Sequence, residues 1–125
     1  MIIAVDFDGT CVTHAYPFVG KSIGAGYVLR DLVDQGHRLI LWTMRSGKEL
    51  QDAVDWFDAR NLKLFGINSN PSQASWTESP KAYAHMYIDD AALGTPLISE
   101  FGYRPFVDWT KVRALLTEKG VLKNV

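Results

Sequence analysis

The chain has 125 residues, 47% of them apolar and 22% charged, which is the size and make-up of one domain able to bury a core. Thirteen Lys and Arg stand against fourteen Asp and Glu, so the formal charge is −1 and no basic excess is available to bind a run of nucleic-acid phosphates. No apolar run approaches the ~20 residues that cross a bilayer, and the single cysteine, Cys11, excludes an internal disulfide and a multi-cysteine metal cluster.

The first segment, Ile2-Ile3-Ala4-Val5, is short, largely β-branched and apolar throughout, the pattern of a strand covered on both faces. An acid follows at once, at Asp6, too early for a signal peptide, and a cytoplasmic single domain over 1–125 is expected. Residues 23–35 have helical spacing, with Ile23, Tyr27, Val28, Leu29, Leu32 and Val33 on one broad face and Gly36 at the end. Leu39-Ile40-Leu41-Trp42 reads as a second buried strand, closed by Thr43-Met44-Arg45-Ser46-Gly47. Leu50, Val54 and Phe57 then mark the apolar side of a second helix, while Glu49, Asp52, Asp55 and Asp58 mark its outer side.

Leu64-Phe65-Gly66-Ile67 reads as a third strand. Residues 68–80 are polar and turn-forming, a loop with at most a short helical turn. A fourth strand, His85-Met86-Tyr87-Ile88, ends at Asp89-Asp90, and a short fifth is expected at Pro96-Leu97-Ile98. Asp108 is placed to cap a last helix over Trp109–Lys119, with Gly120 at its end.

Strands alternating with helices imply an α/β fold, a three-layer Rossmann-like parallel sheet with helices on both faces. Right-handed crossovers make all such strands point one way, so their C-terminal ends share an edge, where ligands bind. Here that edge receives Asp6 and Asp8, Thr43, and Asp89 and Asp90. Carboxylates so grouped repel one another unless a cation lies among them, and hard oxygen donors suit Mg²⁺ beside a phosphate. Phosphoryl transfer needs an in-line nucleophile and a proton donor for the leaving group. Asp6, at the strand tip, is the candidate nucleophile, and Asp8 the candidate acid/base. Gly9 lets the loop bring backbone N–H groups to an anion. Thr43 is placed to donate to the phosphoryl group, Lys81 to balance its charge, and Arg45 to contact substrate further out.

These residues resemble the four motifs of the haloacid dehalogenase-like (HAD) superfamily, in order: Asp6-Phe7-Asp8-Gly9-Thr10 after an apolar strand, Thr43 closing a second, Lys81, and Ile88-Asp89-Asp90. The resemblance spans residues 2 to 94. It implies an Mg²⁺-dependent phosphohydrolase that passes through an aspartyl phosphate. Asp6 would be nucleophile and metal ligand, and Asp8 the acid/base with its backbone carbonyl on the metal. Thr43 and Lys81, with Gly9 and Thr10, would bind phosphate, Asp89 would complete the metal site, and Asp90 would support it or hold Lys81. The second acid of Asp-x-Asp is that of the phosphatase branch. A small phosphorylated metabolite of the sugar phosphate or nucleotide class is the expected substrate. Spacing leaves no room for a cap domain, as in the small capless bacterial members, so the open site accepts many substrates, acts on a large one that covers it, or borrows a lid from another subunit of a homo-oligomer. No membrane partner is expected.

Other residues have plainer readings beside the functional ones. Arg45 in an ion pair and His14 in a solvated loop are the alternatives to substrate contact. Tyr16, Pro17 and Phe18 form either a lip or an apolar patch for a partner subunit. Cys11 is a small buried hydrophobe, Trp42 and Trp56 are core, Trp76 is in a polar loop, and His37 and His85 begin strands without a role. A phospho-accepting signalling domain, or a phosphate-binding domain without efficient turnover, is the competing function; a receiver places its acid pair first and its Lys last, the reverse of the order here.

Overall fold

A computed structural model describes residues 1–124. Four strands, β1 (Ile2–Val5), β2 (Arg38–Leu41), β3 (Leu64–Ile67) and β4 (Met86–Ile88), form one sheet in the order β3-β2-β1-β4. All three pairings are parallel. The helices are α1 (Ala25–Asp34), α2 (Gly47–Asp58) and α3 (Trp109–Glu118). This is a Rossmann-like α/β fold. The short fifth strand is present as β5 (Leu97–Ile98), but outside the parallel sheet: it pairs antiparallel with the unanticipated β6 (Phe106–Val107) in a separate two-stranded sheet.

The strand tips are level, and this is what builds the site. Val5 is paired with Leu41 and with Ile88, and Leu41 with Ile67. The residue after each strand then continues the ladder: Asp6 N–H donates to Ile88 O (3.0 Å), Trp42 N–H to Val5 O (2.9 Å) and Asn68 N–H to Leu41 O (2.7 Å). Asn68, Trp42, Asp6 and Asp89 thus stand side by side along the C-terminal edge.

Side chains alternate between the two faces. Ile3, Val5, Leu39, Leu41 and Ile88 join the main core with residues of all three helices, among them Leu29, Leu32, Phe57, Trp109 and Leu116. Each such fully buried side chain stabilises the fold by about 1.5–3 kcal/mol. An ion pair between Arg113 and Asp31 (2.8 Å) joins α3 to α1. The opposite parity, Ile2, Ala4 and Ile40 with Trp42, Phe65 and Tyr87, forms a second cluster that contains Ala84 and no helical residue.

The expectation of helices on both faces is therefore corrected: among the described residues, the second face is covered by the loop segment 68–85. Topology explains the side it takes. The chain leaves β3 at one edge and must return past β2 and β1 to β4, and a right-handed crossover in that direction runs over the other face. Without a helix, the segment closes on its own side chains. Buried Asn70 donates to Tyr83 O (2.9 Å), and buried Gln73 donates to Lys81 O (3.0 Å) and accepts from Tyr83 N–H (2.7 Å). Tyr87 Oη reaches up from β4 to Ala82 O (2.7 Å). Gly66 permits the start of this path, because a Cβ there would collide with the Ser69 carbonyl.

Asp108 caps α3 as expected, accepting from Lys111 N–H (3.1 Å). Trp109, next in the chain, is buried and donates from Nε1 to the Thr10 carbonyl (2.6 Å), tying α3 to the loop after β1. Trp109→Phe keeps most of the ring and removes this donor, leaving a buried carbonyl unpaired. Urea unfolding should show a loss of about 1–3 kcal/mol at unchanged m-value; a neutral substitution would show that the bond does not anchor the loop.

Candidate active site

Asp6 follows the tip of β1 and Asp89 the tip of β4, so the backbone bond between Asp6 N and Ile88 O sets the two carboxylates next to each other. With Asp90 they offer three ligand oxygens that all lie within 4.8 Å of one another. Buried Thr10 ties the group together. Its hydroxyl donates toward Asp6 Oδ2 (2.9 Å) and Asp90 Oδ1 (3.3 Å), and its oxygen accepts from Asp90 N–H (3.0 Å). His14 Nε2 lies 3.0 Å from Asp90 Oδ2. Gly9 makes that approach possible, since at φ +78° a Cβ would overlap the His14 imidazole and stand 2.7 Å from Asp90 Oδ2.

Crowding of like charges in a partly dry site shifts the acids. Burial first, then the hydrogen bond with Asp90 and the charge of Asp89, push Asp6 up to about 8. Burial also raises Asp89 above the usual carboxylate range. Among the described residues, no Lys or Arg pairs with any of the three. A compact set of hard oxygen donors that no Lys or Arg balances among the described residues fits a divalent cation such as Mg²⁺.

The parity that places Asp6, Trp42 and Asp89 on one side of the edge opens a cleft of about 290 Å³ there, lined by Asp6, Trp42, Thr43, Met44, Asn68 and Asp89. Thr43 Oγ1 accepts from Arg45 N–H (3.1 Å), which leaves the hydroxyl proton for an acceptor in the cleft. Asn68 was not singled out in the sequence. It accepts the Thr43 N–H through Oδ1 (2.7 Å) and holds a left-handed backbone at φ 52°, which Asn tolerates better than most residues. Its signal was positional: a polar amide directly after an apolar strand, at the same edge as the acids.

Four expectations are corrected. Arg45 is 3% exposed, and its five N–H groups are all engaged. Nε and Nη2 grip Asp8 (2.8 and 2.7 Å), Nη2 also donates to Phe18 O (2.7 Å), and Nη1 donates to Pro17 O and Glu49 O (3.3 and 3.2 Å). The guanidinium also lies over Phe7 (5.0 Å) and Tyr16 (5.3 Å), so it holds Asp8 and the Tyr16–Phe18 lip and has nothing left for substrate. Asp8 in turn faces Arg45, and its carboxylate is not among the three that converge. Lys81 neither lines the cleft nor pairs with any of the three acids, and its Nζ lies 5.7 Å from the Tyr87 ring centroid. The N–H groups of Gly9 and Thr10 close the loop on Val12 O (2.7 Å) and Phe7 O (3.1 Å) and do not face an anion.

Among the remaining residues, Cys11 is fully buried, with Sγ 3.4 Å from Asp6 O, and burial pushes its thiol up. Trp56 is core, whereas Trp42 is half-buried between the second cluster and the cleft. Trp76 packs edge-on against Tyr83. His37 and His85 bond the backbone, at Val121 O (2.8 Å) and Ile2 N (2.9 Å).

No protein-family model matches the chain, and no curated protein matches it. Among solved structures, one from Bacteroides thetaiotaomicron, described as a conserved protein, is similar at 37% identity and a TM-score of 0.78, over 95% of this chain and 91% of that one.

The raised acid has a consequence for stability. Because folding lifts Asp6 from 3.8 to about 8, the native state keeps a proton that the unfolded chain releases. The contribution of Asp6 to stability in EDTA is thus fully present below about pH 4 and is lost as pH rises toward 8. At pH 8 in EDTA, Asp6→Asn should raise Tm by at least about 4 °C, roughly 1 kcal/mol for a chain this size, and should have little effect at pH 4. Differential scanning fluorimetry across pH checks this; a variant less stable at pH 8 would refute the crowding.

Proposed function

The chain belongs to the same family as the conserved protein from Bacteroides thetaiotaomicron, and from its cleft we propose that it is a cytoplasmic, Mg²⁺-dependent phosphatase of the HAD type, hydrolysing small phosphomonoesters of the sugar phosphate or nucleotide class. The observation that carries this reading is the convergence of Asp6, Asp89 and Asp90 beside Thr43 at the level tips of parallel strands. Among the described residues, no helix is long and apolar enough to cross a membrane. The cleft is open, and a second copy of the chain, meeting it at the exposed Tyr16 and Phe18, would serve as a lid.

Asp6, Asp89 and Asp90 would hold the cation. When bound, Mg²⁺ keeps the acids ionised and offsets charge on the phosphoryl oxygens. Asp6 then attacks phosphorus and forms an aspartyl phosphate as the ester oxygen leaves. Its orientation is set by the backbone bond to Ile88 and the hydroxyl of Thr10. Thr43 donates a hydrogen bond from its hydroxyl to a phosphoryl oxygen. Asp8, once it has left Arg45 and taken up a proton from solvent, gives that proton to the departing oxygen, then takes one from the water that cleaves the aspartyl phosphate, returning Asp6 and releasing phosphate. To do so Asp8 swings from Arg45 toward the cleft; Arg45 keeps its carbonyl bonds to Pro17, Phe18 and Glu49 and marks the resting position.

Phosphate release from a phosphomonoester panel tests the reading. Activity should require Mg²⁺, cease in EDTA and fall below detection in Asp6→Asn. Asp8→Ala should lower kcat/KM for alkyl phosphates about 10²- to 10³-fold, and far less for p-nitrophenyl phosphate, whose leaving group needs no proton. Full activity in Asp6→Asn excludes the nucleophile, and equal losses on both esters exclude Asp8 as the acid. A phosphorylated Asp6 that persists without release would instead favour a phospho-accepting domain.

A further inference from the structure

A second cavity, of about 520 Å³, opens between the loop that follows β1 and the β5–β6 connection. Lys21, Arg104, Tyr103 and His14 line it, with Gly20 and Gly102 leaving the main chain bare, and none of its lining side chains is acidic. In a chain with a formal charge of −1, this is a local reversal of sign. Neither Lys21 nor Arg104 forms an ion pair among the described residues. Three arginines of the fold are engaged elsewhere: Arg45 holds Asp8, Arg30 pairs with Asp34, and Arg60 donates to Trp56 O (2.9 Å) and Ser22 Oγ (2.9 Å).

The cationic wall is built on a fixed frame. Thr13 and Lys21 clamp the loop, Thr13 N–H donating to Lys21 O (2.9 Å) and Lys21 N–H to Thr13 Oγ1 (3.0 Å). Lys21 Nζ stands 5.5 Å from the Tyr103 ring centroid, and bonding to Tyr103 raises its pKa, with a lesser contribution from Glu100. His14 is the shared partition, since the imidazole that lines this cavity also reaches Asp90 of the acidic group. The cation-lined cavity therefore adjoins Asp90, a member of the acidic group, across one imidazole.

We propose that this cavity is an anion subsite, which receives a second negatively charged group, carboxylate or phosphate, on the leaving group of a phosphomonoester whose reacting phosphoryl lies at Asp6. The proposal rests on the phosphatase reading above and narrows its substrates to esters with two anionic ends. Lys21 and Arg104 supply the charge, and Tyr103 and the bare main chain at Gly20 and Gly102 supply neutral donors.

Two measurements test it. In EDTA no divalent cation draws phosphate to the acidic group, so inorganic phosphate titrated into ¹⁵N-labelled protein is read at the amides of this cavity. Saturable shifts are expected at Gly20, Lys21, Gly102, Tyr103 and Arg104, and they should vanish in Lys21→Ala/Arg104→Ala; no saturable shift at these amides overturns the proposal. With Mg²⁺, the kcat/KM ratio of 3-phosphoglycerate over glycerol 3-phosphate, and of fructose 1,6-bisphosphate over fructose 1-phosphate, should fall about tenfold in the double variant. A fall in one pair alone identifies the second anion as carboxylate or phosphate, and unchanged ratios in both pairs overturn the subsite. Phosphate binding in EDTA with no ester turned over would defeat the phosphatase reading and leave the anion site standing; turnover with no binding and unchanged ratios would do the reverse.

Discussion

The backbone hydrogen bond from Asp6 N–H to Ile88 O places the first acid of the cleft directly beside the tip of β4, where Asp89 follows. Two carboxylates are thereby held together by the sheet against their own repulsion, and a third, Asp90, joins them through Thr10. Much of the surrounding structure serves that placement. Thr10 is buried and bridges the acids, Trp109 fixes the Thr10 carbonyl from α3, and Gly9 leaves room for His14 against Asp90. A strained group of charges of this kind persists because the folded frame over-determines it, and it is the feature that a bound cation would relieve.

Arg45 is the second organising residue, and it works at a distance from the acidic group. One buried guanidinium, packed on Phe7, holds both oxygens of Asp8 and three main-chain carbonyls, so that the loop after β1, the lip at Tyr16–Phe18 and the start of α2 share one cation. A buried cation left without its carboxylate is costly, which is why Asp8 rests here, apart from Asp6. In the proposed reaction the two acids of Asp-x-Asp thus have different surroundings: Asp6 among like charges, Asp8 against an opposite one.

The second face shows how a segment without helical periodicity covers a sheet. Asn70 and Gln73 act as internal struts, each closing a turn of the loop through its side-chain amide, and Tyr87 ties the return path to β4. Their residue types read as turn formers, and their pairing partners, ten and thirteen residues on for Tyr83 from Gln73 and Asn70, follow no short-range pattern. Lys81 belongs to this same segment and lies by Tyr87 rather than in the cleft, which a match of motif order alone does not reveal.

The four parallel strands, the three helices and the Asp108 cap were legible in the sequence, because each depends on interactions within a few residues: continuous apolar runs, helical spacing, a side-chain acceptor three residues from its donor. Parallel pairing then brings strand tips to one edge, so the convergence of Asp6, Asp89, Asp90 and Thr43 also followed from chain order. Only the tertiary structure decided which polar groups were already taken. Arg45 and Thr10 are saturated by partners 37 and 80 residues away, His14 meets Asp90 across 76, and Asn68 accepts the Thr43 N–H across 25. A hydrogen-bonding group can serve a ligand only with the donors and acceptors the fold leaves free, and that remainder is set by packing across the whole chain.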